Sequence, residues 1–116
     1  MRLSLCVFLL GTSLMLGERP PRKGGTAAVT NPLHGDADAE HAGKKNFEKL
    51  CAGCHGPDGK GATHYPSLRS AKAKKASDAS LFNVITKGVP AKGMPGFSQL
   101  SETERWQIVS YLRSLK

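Results

Sequence analysis

The sequence predicts an all-α fold, three main helices joined by long loops that wrap around a ligand. Three observations carry this. Three segments, about Asp38–Leu50, Asp78–Lys87 and Ser101–Leu115, space their apolar residues at helical intervals. No run alternates apolar and polar residues as a half-buried strand does. Large apolar side chains are also scarce: Leu, Ile, Val and Phe are 16 of the 99 residues from Glu18 to Lys116. With a formal net charge of +8, that share marks a disordered chain unless something other than side chains fills its centre.

Taken in order, residues 1–17 (MRLSLCVFLLGTSLMLG) place one Arg before a mostly apolar run, the pattern of a signal peptide or an N-terminal anchor. The run is too short to favour a transmembrane helix. Cys6 reads as a thiol of that apolar segment, because large Leu5 before it and the continuing run disfavour lipid attachment. Residues 18–35, with three prolines, three glycines and no apolar period, read as a flexible linker. The domain is expected over 36–116. In its first helix Gly43, Phe47 and Leu50 share a face. In the second, Asp78 can cap the start, Leu81, Phe82 and Ile85 share a face, and Gly88 suits the position after the end. The third opens on Ser101-x-x-Glu104, a capping box, and carries the stripe Ile108, Val109, Leu112 and Leu115 with Tyr111 beside it. The stretches Gly56–Ser77 and Gly88–Gln99 read as loops, long enough to be a warning in a compact domain unless they enclose a ligand.

Residues 51–55 are Cys-Ala-Gly-Cys-His, the C-x-x-C-H pattern of covalent haem attachment. Two thiols three residues apart reach the two vinyl groups on one porphyrin edge, and the next residue, His55, brings its imidazole to the iron. A redox disulfide would want a βαβ setting, a zinc site would want a second pair of ligands, and a structural disulfide would suit an exported domain. The cofactor expected is one haem c, bound through Cys51 and Cys54. After the apolar N-terminal segment Met94 is the one methionine, in Gly93-Met94-Pro95-Gly96, where glycines let the backbone pass close to a flat ring. Its thioether is a soft ligand that raises the reduction potential relative to a second imidazole. The metal ligands expected are His55 and Met94. The alternatives are a Met94 that only packs, and His64 as the second axial ligand.

Residues 38–116 resemble the class I monohaem c-type cytochromes, in the small bacterial soluble or oxidase-associated type. The resemblance rests on Gly43-x-x-x-Phe47, Cys51-Ala-Gly-Cys54-His55-Gly56, Tyr65-Pro66-Ser67-Leu68, Gly93-Met94-Pro95-Gly96-Phe97 and the Trp106–Leu115 helix, with 39 positions from His55 to Met94. It implies the cytochrome c fold, a hydrogen bond from His55 to the carbonyl of Pro66, and a helix crossing at Gly43, Phe47 and Tyr111. Leu68, Phe82, Ile85, Phe97, Leu100, Ile108 and Leu112 are the expected pocket and core. Tyr65 and Arg69 are candidates for the haem propionates. Trp106 is one too, though core packing is the better reading.

A His/Met pair leaves iron no open coordination site, which favours a one-electron carrier over a catalyst. The alternatives are a haem subunit of a larger dehydrogenase or terminal oxidase complex, and a reactive five-coordinate enzyme or gas sensor. From Asp36 on, 13 Lys and Arg against 8 Asp and Glu point to redox partners with acidic docking surfaces. No long basic block with interleaved aromatics marks nucleic-acid binding. The expectation is a monomer, periplasmic or exported, that meets a membrane only through an uncleaved N-terminal segment, which would anchor it to the outer face of the inner membrane, or through a partner complex.

Overall fold

The computed structural model describes residues 30–116. The apolar segment 1–17 and residues 18–29 lie outside the described residues. The elements are α1 (Ala37–Leu50), α2 (Ala52–His55), α3 (Ala71–Lys75), α4 (Asp78–Lys87), a 3₁₀ turn (Pro90–Lys92) and α5 (Glu102–Ser114). Among the described residues the only β-type pairings are isolated bridges, Ala62–Tyr65 and Val89–Met94.

Each long helix starts on a side chain that accepts free backbone N–H groups, a cap worth about 1 kcal/mol. Asp36 accepts from Asp38 and Ala39. At α5, Ser101 Oγ accepts from the Glu104 N–H while the Glu104 carboxylate accepts from the Ser101 N–H. At α4 the cap is Ser77, one residue before the Asp78 expected from sequence. Asp78 instead stands in the first turn and faces other elements.

Helix α1 buries Ala39, Gly43 and Phe47 against α5. Gly43 is the contact point: a Cβ there would run into the backbone carbonyl of Gln107. Past it, the Phe47 ring lies 5.1 Å from that of Tyr111, centroid to centroid. Phe47 and Val109 are fully buried, and Ile108 nearly so. Behind them Ile85, Phe97, Trp106, Ile108 and Val109 form one apolar cluster. Trp106 stacks on Phe82 at 4.1 Å, which places it in the core. A second close approach joins the end of α4 to the 94–97 loop. Gly88, at φ +69°, and Gly96 leave no room for a Cβ there, and the Phe97 N–H donates to the Ile85 carbonyl at 2.8 Å.

Two parts of the fold depart from the sequence reading. The loop Gly56–Ser77 contains a helical turn, α3, which Ser70 caps. Arg113 of α5 holds its far end by donating to the carbonyls of Lys74 and Ala76. Residues 31–35, placed with the flexible linker, pack on the domain. Asn31 is buried; its side chain donates to the Trp106 carbonyl and to Ser110 Oγ, and its Oδ1 accepts from the Leu33 N–H. Its backbone N–H donates to Asp78 Oδ2 at 3.0 Å. Asp78 Oδ1 meets Arg113 Nε at 2.7 Å, so one carboxylate links the N-terminal arm, α4 and α5.

Two expected outcomes follow from these contacts. Gly43→Ala forces α1 and α5 apart and costs about 2–3 kcal/mol or more, read as a lower denaturant midpoint of the holoprotein; an unchanged midpoint would mean the helices do not touch there. Burial pushes the Asp78 carboxyl up, but the Asn31 N–H and the Arg113 guanidinium outweigh it and hold the group below the usual carboxylate range. Its contribution is therefore complete above the ordinary value of about 3.9 and is lost as pH falls through the lower folded value. Asp78→Asn should cost about 1–3 kcal/mol at pH 7, and thermal melts should show parent and variant converging as pH drops below about 4.

Candidate functional site

Helix α1 ends where the chemistry starts. The Cys51 N–H still donates to the Phe47 carbonyl, and the chain then continues into the single turn α2. That turn sets Cys51 and Cys54 one helical turn apart, with the His55 N–H bonded to the Cys51 carbonyl at 2.9 Å. Gly56, at φ +79°, ends the turn and sends the chain into the loop that carries Pro66. The loop is braced by the Gly61 N–H on the His55 carbonyl (2.7 Å) and the Leu68 N–H on the Gly59 carbonyl (2.8 Å). It brings the Pro66 carbonyl to 3.2 Å from His55 Nδ1.

Met94 stands on another segment. Backbone bonds to Val89 in both directions fix it, the Val89 N–H to the Met94 carbonyl at 2.9 Å and the Met94 N–H to the Val89 carbonyl at 3.1 Å. Its side chain is half-buried and packs on the apolar cluster.

These segments surround one cleft of about 390 Å³, within the range of about 300–1,000 Å³ that ligand sites occupy. Cys51, Cys54, His55, Pro66 and Met94 all line it. Its apolar walls include Phe47, Leu68, Leu81, Ile85, Phe97, Ile108 and Leu112. The three large apolar side chains that stay exposed among the described residues, Leu50, Tyr65 and Val84, also line this cleft. Apolar surface left open to water in one place is what a bound group of matching size would cover. The cleft therefore fits a sizeable, mostly apolar bound group.

The competing readings of the two cysteines find less support. Burial pushes the Cys51 thiol up to about 11, with neighbouring Cys54 adding to the rise. A dithiol exchange centre needs the opposite, a lowered thiol. Among the described residues, no three His, Cys, Asp or Glu side chains gather to hold a metal ion.

Other residues singled out in the sequence fall in different places. His64 and Tyr65 line the cleft. Arg69 is not among its lining residues: its guanidinium donates to the carbonyls of Asp58 (2.6 Å) and Lys116 (3.0 Å), tying the loop to the C-terminus. Phe82 and Leu100 pack on the core cluster and do not line the cleft. Lys72 and Lys92 do line it, and sequence gave no means of telling them from the other loop lysines.

Comparison with solved structures finds the same architecture. Cytochrome cL from the marine methylotrophic bacterium Methylophaga aminisulfidivorans MPT is 30% identical with a TM-score of 0.64, over 73% of this chain and 60% of that one. Cytochrome cL from Hyphomicrobium denitrificans is 26% identical with a TM-score of 0.59, over 71% of this chain and 50% of that one. The KustC0563 c-type cytochrome is 28% identical with a TM-score of 0.57, over 64% of this chain and 96% of that one. The chain thus spans only 50–60% of the length of the two cL proteins. No curated protein matches it. Among the described residues, no helix is long and apolar enough to cross a membrane. The family model described as cytochrome C oxidase, cbb3-type, subunit III matches residues 38–112, the span that holds the whole cleft, so the chain belongs to this cytochrome c family, whose cofactor is covalently bound haem c.

Proposed function

We propose that this protein is an exported one-electron carrier in which Cys51 and Cys54 tether haem c while His55 and Met94 ligate its iron. The observation that carries the reading is that these four side chains line a single, otherwise largely apolar cleft. When bound, the haem supplies a one-electron couple.

The residues around it divide the work. A proton on His55 Nδ1, donated to the Pro66 carbonyl 3.2 Å away, leaves Nε2 as the lone-pair nitrogen and fixes the ring's orientation. Met94 offers a soft thioether from a backbone pinned twice to Val89. His64 is the weaker candidate for that place. It lies two residues before Pro66, the partner of His55, in the turn closed by the Ala62–Tyr65 bridge. His55 and Met94 would together hold the iron, and a metal so held would offer a substrate no open site. The exposed apolar side chains of Leu50, Tyr65 and Val84 line the cleft and would help shield the bound group from water. The net positive charge from Asp36 onward favours redox partners with acidic surfaces. The apolar run of residues 1–17 supports export.

A second reading, a haem-bearing component of a larger oxidoreductase, is favoured by the family description, which names an oxidase subunit. Purification from membranes under mild detergent separates the two: a carrier elutes alone, a component elutes with its complex.

Met94→Ala should abolish the weak long-wavelength Met–iron band. It should also lower the reduction potential by on the order of 0.1 V, a fraction of the roughly 0.8 V that axial ligands span. An unchanged spectrum would remove Met94 from the ligand set. The haem-free Cys51→Ala/Cys54→Ala protein should be largely unfolded, because the cleft is then an unfilled centre. Circular dichroism with holoprotein-like helix content would contradict this.

A further inference from the structure

The cleft is lined by two lysines, Lys72 and Lys92, together with His55, His64 and Tyr65, but by no Asp or Glu. Haem c has two carboxylates of its own, the propionates. A carboxylate at the mouth of an apolar cleft is costly unless a cation or hydrogen-bond donor meets it. The formally charged side chains that line this cleft are thus two lysines, Lys72 and Lys92.

The two lysines are carried differently. Lys92 sits on the 3₁₀ turn, next to exposed Pro90 and Ala91. Lys72 sits in α3, a helix of five residues fastened at both ends. Ser70 Oγ accepts the Ala73 N–H at its start, and the Arg113 guanidinium accepts nothing but donates to the carbonyls of Lys74 and Ala76 at its end. Arg113 is itself held by Asp78, which the N-terminal arm engages through Asn31. An isolated helix this short is not stable in water, so these tertiary bonds are what hold α3 in place. Of its three lysines, Lys72 lines the cofactor cleft, whereas Lys74 lines an adjoining cleft beside Leu115 and Lys116. Lys75 lines neither.

We infer that Lys72 is the residue that binds a haem propionate, and that the Asp78–Arg113 clamp on α3 positions it to do so. This rests on haem occupying the cleft through Cys51, Cys54 and His55. An ammonium paired with a propionate would neutralise a negative charge that favours the ferric state, and would so raise the potential.

The test compares Lys72→Gln, Lys72→Arg, Lys92→Gln and Lys75→Gln as haem-loaded proteins. Lys72→Gln should reduce the equilibrium constant for haem reduction about three- to tenfold. Lys72→Arg should restore most of it, and Lys75→Gln should leave it near the parent value. Equal falls for Lys72→Gln and Lys75→Gln, or a larger fall for Lys92→Gln, would overturn the assignment. Should Lys72→Gln fail to accumulate, the holoprotein structure decides. Lys72 Nζ within about 4 Å of a propionate oxygen supports the inference, and a greater distance from both propionates ends it. A haem-stained gel keeps the premises apart: haem lost from Cys51→Ala/Cys54→Ala but retained in every lysine variant leaves the cleft reading standing whatever Lys72 does.

Discussion

The contact between Gly43 and the backbone of Gln107 sets the geometry on which the rest of this protein depends. Because Gly43 has no side chain, α1 lies directly on α5, and the crossing places Phe47 and Ile108 together as cleft walls. The C-x-x-C-H turn follows α1 directly, with Cys51 as the junction, so the same contact fixes where Cys51, Cys54 and His55 stand. A chain with so few large apolar residues has little core to spare for correcting a misplaced helix. One close backbone approach does work that a larger domain would distribute over many side chains.

The N-terminal arm is held by polar contacts as well as by Leu33, which packs on the apolar cluster. Asn31 and Ser110 are the buried polar residues of this attachment, and both are fully bonded. Among the described residues no buried side-chain nitrogen or oxygen lacks a partner. Asp78 joins this group to Arg113, and Arg113 joins it to α3. Such links are directional, so they specify one arrangement of short elements where packing alone would tolerate several. Arg69 acts in the same manner on the haem-side loop, binding it to the carbonyl of the last residue.

The parts legible in the sequence were those with local causes. The capping box at Ser101 and Glu104 and the stripe from Ile108 to Leu115 depend on residues within one helix, and α5 follows from them. The C-x-x-C-H motif is likewise local. The separation between Cys51 and His55 is set by a helical turn and needs no tertiary information. Helix α3 was not legible, because Ala-Lys-Ala-Lys-Lys has no apolar period and its stability comes from an arginine about forty positions away. Asn31 was not legible either: among prolines and glycines it looks like linker, and only the α4–α5 surface gives it partners. Asp78 shows the same limit at finer scale. Its type suits a helix cap, but Ser77 already fills that role, and the carboxylate is used for long-range links. Which lysines face the cleft is likewise a property of how loops fold back, invisible in a basic run such as Lys72–Lys75.

The way the N-terminal arm is attached has a mechanical consequence. A pull on the chain at residue 30 would load Asn31 first, and through it the Trp106 carbonyl, Ser110 and Asp78. None of these lines the cleft. Tension would pass into α4 and α5, and through Asp78 and Arg113 into α3, bypassing the α1–α2 corner that carries the two cysteines and His55. A domain drawn about by its N-terminal segment would thus keep Cys51, Cys54 and His55 in place while its attachment bears the strain, much as a lamp hung from its base rather than its filament keeps its light steady.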